Sequence, residues 1–190
     1  MFEELKEYIL KFVPFTDDEF NAVIPKVETV SLKKNEYFVR EGEIANYIAF
    51  TQRGYLRVYY LHNGVEITRD ISPLHSFVTA LPSFIKRKPS FEIIRAITDC
   101  ELIIIKKSNL DYLYDNFPKW QKLGYMIMED MFVQTQNRIY SFIVDTAEVR
   151  LQNMLSEFPD IFRYVPLQYI ASYLGITSQS LSRLRKSESL

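Results

Sequence analysis

Ser178, Gln179, Ser182, Arg183 and Lys186 are the side chains whose types and spacing most suggest shared chemistry, and no carboxylate interrupts them before Glu188. Hydroxyls, an amide, a planar guanidinium and an ammonium are the groups that hydrogen-bond to base edges and neutralise phosphates. Helical spacing puts them on one side and Leu181 and Leu184 on the other. The stretch before them, PLQYIASYLGIT from Pro166, must hold that helix in place. Pro166 suits a first helical turn, Ile170, Ala171 and Leu174 form a buried side, Ile176 plugs the core and Thr177 caps the next helix. Ala171 is small where a second helix crosses closely, and Gly175 can carry the chain through a left-handed turn. The pattern predicts a helix-turn-helix. An ordinary α-hairpin shares the leucine spacing and is the plainer alternative.

Other chemistry finds few candidates. His62 and His75 stand far from any nucleophile signature, glycine is scarce, and no metal-ligand spacing occurs, so no enzymatic activity, metal or cofactor is expected. Both histidines read as surface residues rather than haem ligands. Cys100 is the sole cysteine, which excludes an intrachain disulfide and leaves an iron-sulfur cluster short of ligands. With no cationic neighbour it reads as a packed strand residue. Net charge is -1, so a nucleic-acid surface would have to be a local patch. The N-terminal MFEELKEYILKFVPF lacks signal-peptide features and no apolar run approaches about eighteen residues, which predicts a cytoplasmic protein without membrane association.

The elements behind these residues follow from periodicity. Leu5, Tyr8, Ile9 and Phe12 predict a first helix, and Thr16 with Glu19 a capping box opening a second. From Val27 to Lys106 short β-branched and aromatic runs alternate with turn residues. Asn63-Gly64 is a hairpin signal, since both central residues of a type I′ turn need positive φ. Strands are expected near 91–97 and 101–106, and together the runs predict an antiparallel β-roll or barrel. Ser108 or Asn109 would cap the next helix. Pro118 opens a helix of some 25 residues, with Trp120, Leu123, Ile127, Met131, Gln134, Arg138 and Ser141 on one seam and apolar residues on other faces. Packing on two things at once is the expectation: the roll, and a second subunit met through Trp120, Leu123, Ile127 and Met131. Residues 146–158 form a further amphipathic helix. The fold class is α+β, divided as 1–117 sensor roll with flanking helices, 118–145 dimerisation helix and 146–190 helix-turn-helix.

From about residue 20 onward the chain resembles the catabolite-activator/fumarate-nitrate-regulator (Crp/Fnr) superfamily of transcription regulators, whose sensor is a cyclic-nucleotide-binding-like jelly roll. Gly42-Glu43 and Gly54 match the roll's glycines, and the helix-turn-helix is the more specific match. By that resemblance Ser178, Gln179 and Arg183 read bases, while Gln168, Thr177 and Ser180 contact phosphates. Lys186 is read from its position as a further phosphate contact. The implied partners are two-fold symmetric double-stranded DNA, RNA polymerase, a second copy of the chain and a small effector of unknown identity. The cassette departs from the family pattern. Counting back from Arg95-Ala96 and Cys100-Glu101, the Gly-Glu and the Arg with its hydroxyl neighbour become Thr79-Ala80 and Ser90-Phe91, so any effector site around Thr79, Ala80 and Ser90 lacks both charges. Between them, Lys86-Arg87-Lys88 reads as a solvated loop tip. The chain stops at Leu190 without a β-hairpin wing, so weak binding per monomer is expected and the dimer becomes necessary. The rival expectation is a sensor or protein-interaction module that does not bind DNA.

Overall fold

The computed structural model describes residues 2–187; Glu188, invoked above, lies outside them. The alternating runs become β1 Val27–Leu32, β2 Tyr37–Val39, β3 Tyr47–Arg53, β4 Leu56–His62, β5 Val65–Ser72, β6 Phe77–Val78, β7 Ile93–Ala96 and β8 Cys100–Lys106. They form two four-stranded sheets, ordered β1-β8-β3-β6 and β2-β7-β4-β5, with every pairing antiparallel. Asn63 and Gly64 both have positive φ, 51° and 78°, and His62 pairs with Val65 across them. That is the hairpin the dipeptide predicts.

Period-two alternation gives each sheet two buried faces. Ala49, Leu102 and Ile104 point into the roll and meet Leu56, Val58, Ile94 and Ala96 of the opposite sheet. Phe50, Ile103 and Ile105 point the other way, into a second core beneath helices. Those helices are α1 Glu3–Leu10 and α2 Asp17–Asn21, then, beyond the roll, α4 Lys107–Asn116 and α5 Pro118–Val144; α3 Leu81–Lys86 lies within the roll. Thr16 and Glu19 make the expected capping box at α2. At α4 the expectation fails: the helix begins at Lys107 without a side-chain cap, and the Asn109 amide donates to the Lys26 carbonyl at 2.9 Å instead.

After α5 come α6 Ala147–Glu157, α7 Ile161–Tyr164, α8 Leu167–Leu174 and α9 Ser178–Ser187. They bury Leu151, Ile161, Ile170, Leu174 and Leu181 against Tyr55, Ile71 and Ile97 of the roll, a third core. Arg57 of β4 sits on the roll's outer surface at this junction, 3% exposed. Its guanidinium lies 4.3 Å from the Tyr59 ring centre and 3.9 Å from that of Tyr169 on α8. Its Nε donates to Thr68 Oγ1 at 2.9 Å and its Nη1 pairs with Glu66. Burial pushes the Tyr59 phenol up to about 12, so the ring beside the cation stays neutral. Beside it the Thr68 backbone N–H donates to Ser172 Oγ of α8 at 2.8 Å, and Tyr55 stacks on Tyr164 at 5.4 Å.

Replacing Arg57 with Ala removes two ring contacts and leaves Glu66 without its cation. The variant should lose about 2–4 kcal/mol of unfolding free energy in a urea titration. Arg57→Lys, keeping charge but not the planar fork, should fall between the two. A wild-type midpoint for Arg57→Ala would show that this residue does not hold the C-terminal helices.

Candidate functional site

The C-terminal site is built on α8, the turn at 175–177 and α9. Ala171, Leu174 and Leu181 are buried at their crossing, as their sizes require. Gly175 takes φ 70°, the left-handed region that favours glycine, and the Phe142 ring packs close over it, its Cε1 2.8 Å from where a Cβ would stand. Ile176 N–H donates to Ala171 O at 3.0 Å, and Ser180 N–H donates to Thr177 Oγ1 at 3.1 Å. The cap expected at Thr177 is therefore present.

Gln168, Thr177, Ser178, Gln179, Ser180, Arg183 and Lys186 are all exposed. Three hydroxyls here are partly committed: Ser182 Oγ donates to Ser178 O at 2.9 Å, and Ser180 Oγ lies 3.0 Å from Thr177 Oγ1. Gln179, Arg183 and Lys186 thus carry the long exposed donors at the helix's outer surface. Arg185, inside the same basic run, turns back over the Phe162 ring at 4.5 Å.

Two braces gave no sign in the sequence. Arg138 of α5 donates to Tyr173 O at 3.0 Å with its guanidinium 3.7 Å from the Tyr173 ring centre. Arg150 of α6 donates to Leu174 O at 3.1 Å and to Asp145 O at 2.7 Å. Both satisfy carbonyls at the C-terminal end of α8, where a helix leaves acceptors open and favours positive charge. Only the fold could reveal them, since partner and brace are at least 24 residues apart.

On the long helix the expected seam turns inward. Trp120 and Leu123 are buried in the chain's own second core, and Ile127 and Met131 are half-buried, so the first two cannot meet a partner as expected. The physical reason is that the Trp120 side is the one lying on the helices and the outer sheet surface. Tyr125, Met128, Phe132, Thr135 and Ile139, roughly a third of a turn away, are exposed.

In the cassette, Thr79, Ala80 and Ser90 are buried. Thr79 Oγ1 donates to Tyr47 O at 2.8 Å, while Ser90 Oγ donates to Glu92 O at 2.8 Å and accepts from Glu92 N–H at 3.0 Å. Ser90's backbone ties to Gly42 and Glu43, the glycine-acid pair singled out by resemblance. The intervening segment is not a simple loop: Leu81–Lys86 is α3, and its Phe84 is buried in the roll interior. Arg87, expected at a solvated tip, donates to Ala45 O at 2.7 Å and to Asn46 Oδ1 from a backbone φ of 54°. The residue stays exposed, as expected of a tip, and its partners are neutral oxygens. Glu92, overlooked in the sequence, is buried with one oxygen 2.8 Å from Arg69 Nε, and burial holds its carboxyl above the usual carboxylate range against the pull of Arg69.

The remaining candidates are structural. His62 is exposed beside the hairpin, His75 stacks on Phe50 with centroids 6.2 Å apart, and buried Cys100 donates to the Tyr55 and Thr98 carbonyls. Burial pushes the Cys100 thiol up, opposite to what reactivity needs. Among the described residues no helix is long and apolar enough to cross a membrane.

Residues 29–117 match the family model of the cyclic nucleotide-binding domain. No curated protein matches the chain. Among solved structures, FixK2 from Bradyrhizobium japonicum aligns with a TM-score of 0.71 at 20% identity, covering 85% of this chain and 83% of its own. A CooA mutant from Carboxydothermus hydrogenoformans aligns at 0.68 and 16% identity over 94% and 81%. The Thermus thermophilus Catabolite Activator Protein aligns at 0.60 and 12% identity over 96% and 86%. These likenesses concern the fold: a roll, a long helix and C-terminal helices in the same order.

The cassette makes a prediction about ligands. The resemblance puts Ala80 and Ser90 at the positions where family members hold a cyclic nucleotide with a carboxylate and a guanidinium, and each such charged hydrogen bond lost costs roughly 1.5–3 kcal/mol. Calorimetry should find cyclic AMP and cyclic GMP binding weaker than about millimolar. Micromolar affinity for either would overturn this reading.

Proposed function

We propose that this chain, which has the fold of the catabolite-activator/fumarate-nitrate regulators and carries a cyclic nucleotide-binding domain, is a homodimeric, DNA-binding transcription regulator. The observation that carries the reading is the outer surface of α9: Ser178, Gln179, Arg183 and Lys186 stand exposed on a helix whose other side is locked into a helix-turn-helix. Arg183 can offer a planar donor fork to guanine O6 and N7, while Gln179 can address adenine. Gln168, Thr177, Ser180 and Lys186 border that surface and suit phosphates. A net charge of -1 leaves recognition to this local surface.

The dimer we propose uses the exposed seam of α5. Tyr125, Met128, Phe132, Thr135 and Ile139 follow one another at alternating spacings of three and four, the heptad repeat of a two-stranded coiled coil. Tyr125 and Phe132 are each 64% exposed, too much large apolar surface for a lone chain to leave in water. Residues 1–117 would act as the sensor, 118–145 as the dimer helix and 146–190 as the reading head. The regulator is proposed to act in the cytoplasm, without enzymatic activity, on a two-fold symmetric site with RNA polymerase as partner, under a small effector that is not a classical cyclic nucleotide.

Sedimentation should give twice the 22.5 kDa chain mass at micromolar concentration. Phe132→Asp should yield a folded monomer with an unchanged far-ultraviolet spectrum, whereas a dimeric Phe132→Asp would refute the seam. Binding-site selection should recover two-fold sites with half-sites about one helical turn apart, or a multiple. Arg183→Ala should lose about 1–3 kcal/mol of discrimination at one position per half-site, and Lys186→Ala should weaken all sequences alike and lower the salt slope by about one. Full wild-type preference in Arg183→Ala would remove α9 as the base reader, and no retention on DNA at low salt would favour a protein-interaction module.

A further inference from the structure

At the surface of the roll, where the end of α3 meets the start of α4, lies an open cleft of about 370 Å³. Arg87 after α3, Asn46 before β3, Lys106 at the end of β8, and Lys107, Ser108 and Asp111 of α4 line it. The cassette positions Thr79, Ala80 and Ser90 take no part in the lining. The volume falls within the roughly 300–1,000 Å³ of clefts that hold small ligands.

Three cations and one carboxylate meet here, in a chain whose net charge is -1. Lys107 pairs with Asp111 along α4, so two cations are left without a carboxylate. Arg87 is held in place by neutral oxygens: its Nη1 donates to Ala45 O at 2.7 Å and to Phe84 O at 3.3 Å, and its Nη2 donates to Asn46 Oδ1. Of a guanidinium's five N–H donors this leaves two unspent, one on Nε and one on Nη2. The Lys106 ammonium and the Ser108 hydroxyl are exposed and make no hydrogen bond or ion pair among the described residues. A fixed guanidinium with spare donors, a second cation and a hydroxyl around one concave space form a donor set that suits a phosphoryl group. The rest of the lining narrows what can carry that group. It has no aromatic ring and one apolar side chain, Ile85, so a nucleobase would find no stacking surface. Asn46 and Asp111 instead offer polar atoms to hydroxyls.

We propose that this cleft binds a sugar phosphate: Arg87, Lys106 and Ser108 take the phosphoryl oxygens, while Asn46 and the Asp111 oxygen not paired with Lys107 take hydroxyls of the sugar. Binding stands on these residues alone. Its use as an effector site rests on the transcription-regulator reading: the cleft joins Asn46 and Arg87 of the roll to α4, and α4 leads through Phe117 into α5.

Calorimetric titration of the full chain with glucose 6-phosphate should give one site per chain with a Kd of about 0.3–1 mM, on the order expected for a ligand of about sixteen heavy atoms. Glucose, which lacks the phosphoryl group, should give no saturable heat, and inorganic phosphate, which lacks the sugar, should bind about tenfold more weakly. In nitrogen-15 spectra the amide signals of Asn46 and Ser108 should move and saturate with the sugar phosphate. Lys106→Ala changes an exposed residue without partners, so it should keep the wild-type melting temperature and weaken glucose 6-phosphate about tenfold. Lys122→Ala, which removes the same charge from an exposed position outside the lining, should leave the affinity unchanged. No saturable binding, equal affinity for phosphate and the sugar phosphate, full affinity in Lys106→Ala, or an equal loss in Lys122→Ala would each overturn the proposal. A glutamate-rich peptide that moves the same amides at lower concentration would overturn it too, by assigning the cleft to a protein partner. None of these readings involves DNA, so a failure of DNA binding leaves the result intact, and the reverse.

Discussion

Arg57 sits almost entirely out of water, and a buried guanidinium costs several kcal/mol unless its donors and both its faces are occupied. Here the occupants come from two parts of the chain. Tyr59, Thr68 and Glu66 belong to the β4-β5 hairpin, whereas Tyr169 belongs to α8. One of the cation's two ring contacts therefore exists only when the C-terminal helices lie against the roll. The Thr68 to Ser172 hydrogen bond and the Tyr55-Tyr164 stack lie along the same junction, and the third core continues beneath them. The orientation of α9 inherits from this docking, since α9 is held by α8 and α8 by the roll.

The long helix performs three duties along its length. Near its start, Trp120 and Leu123 close the second core; midway, Met128 and Phe132 are left to water; near its end, Arg138 and Phe142 reach the α8 carbonyls and the Gly175 turn. The roll, the exposed stripe of α5 and the C-terminal helices are thus joined through one element. The braces from Arg138 and Arg150 anchor α8 to the end of that element rather than to the roll alone.

The roll keeps the cyclic nucleotide-binding domain's outline while the cassette has been refilled. Phe84 occupies interior space, Thr79 and Ser90 hydrogen-bond to the protein's own backbone, and Arg87 is bound to Ala45 and Asn46. The remaining buried carboxylate, Glu92, is paired with Arg69. Where donors and acceptors are already spent on the protein, as at Thr79 and Ser90, a ligand is offered only exchange, not gain; the second Glu92 oxygen is the exception, buried with no partner among the described residues.

Much of the fold could be read from residue order alone, because the deciding signals were local. The alternation from Val27 to Lys106, the Asn63-Gly64 hairpin, the Thr16-Glu19 box and the Ala171-Gly175-Thr177 turn each depend on residues within a few positions of one another. The same holds for the exposed surface of α9, which follows from Leu181 and Leu184 being on its other side. Which seam of α5 faces its own core was a different matter. Two apolar stripes share that helix at similar spacing, and periodicity carries no sign of which one a distant sheet will cover; packing on Phe50 and Ile103 decided it for Trp120 and Leu123. The Arg57 clasp and the Arg138 and Arg150 braces were equally invisible. Each depends on groups brought together from far along the chain, and the energy of such a contact exists only once the fold has closed the loop between them.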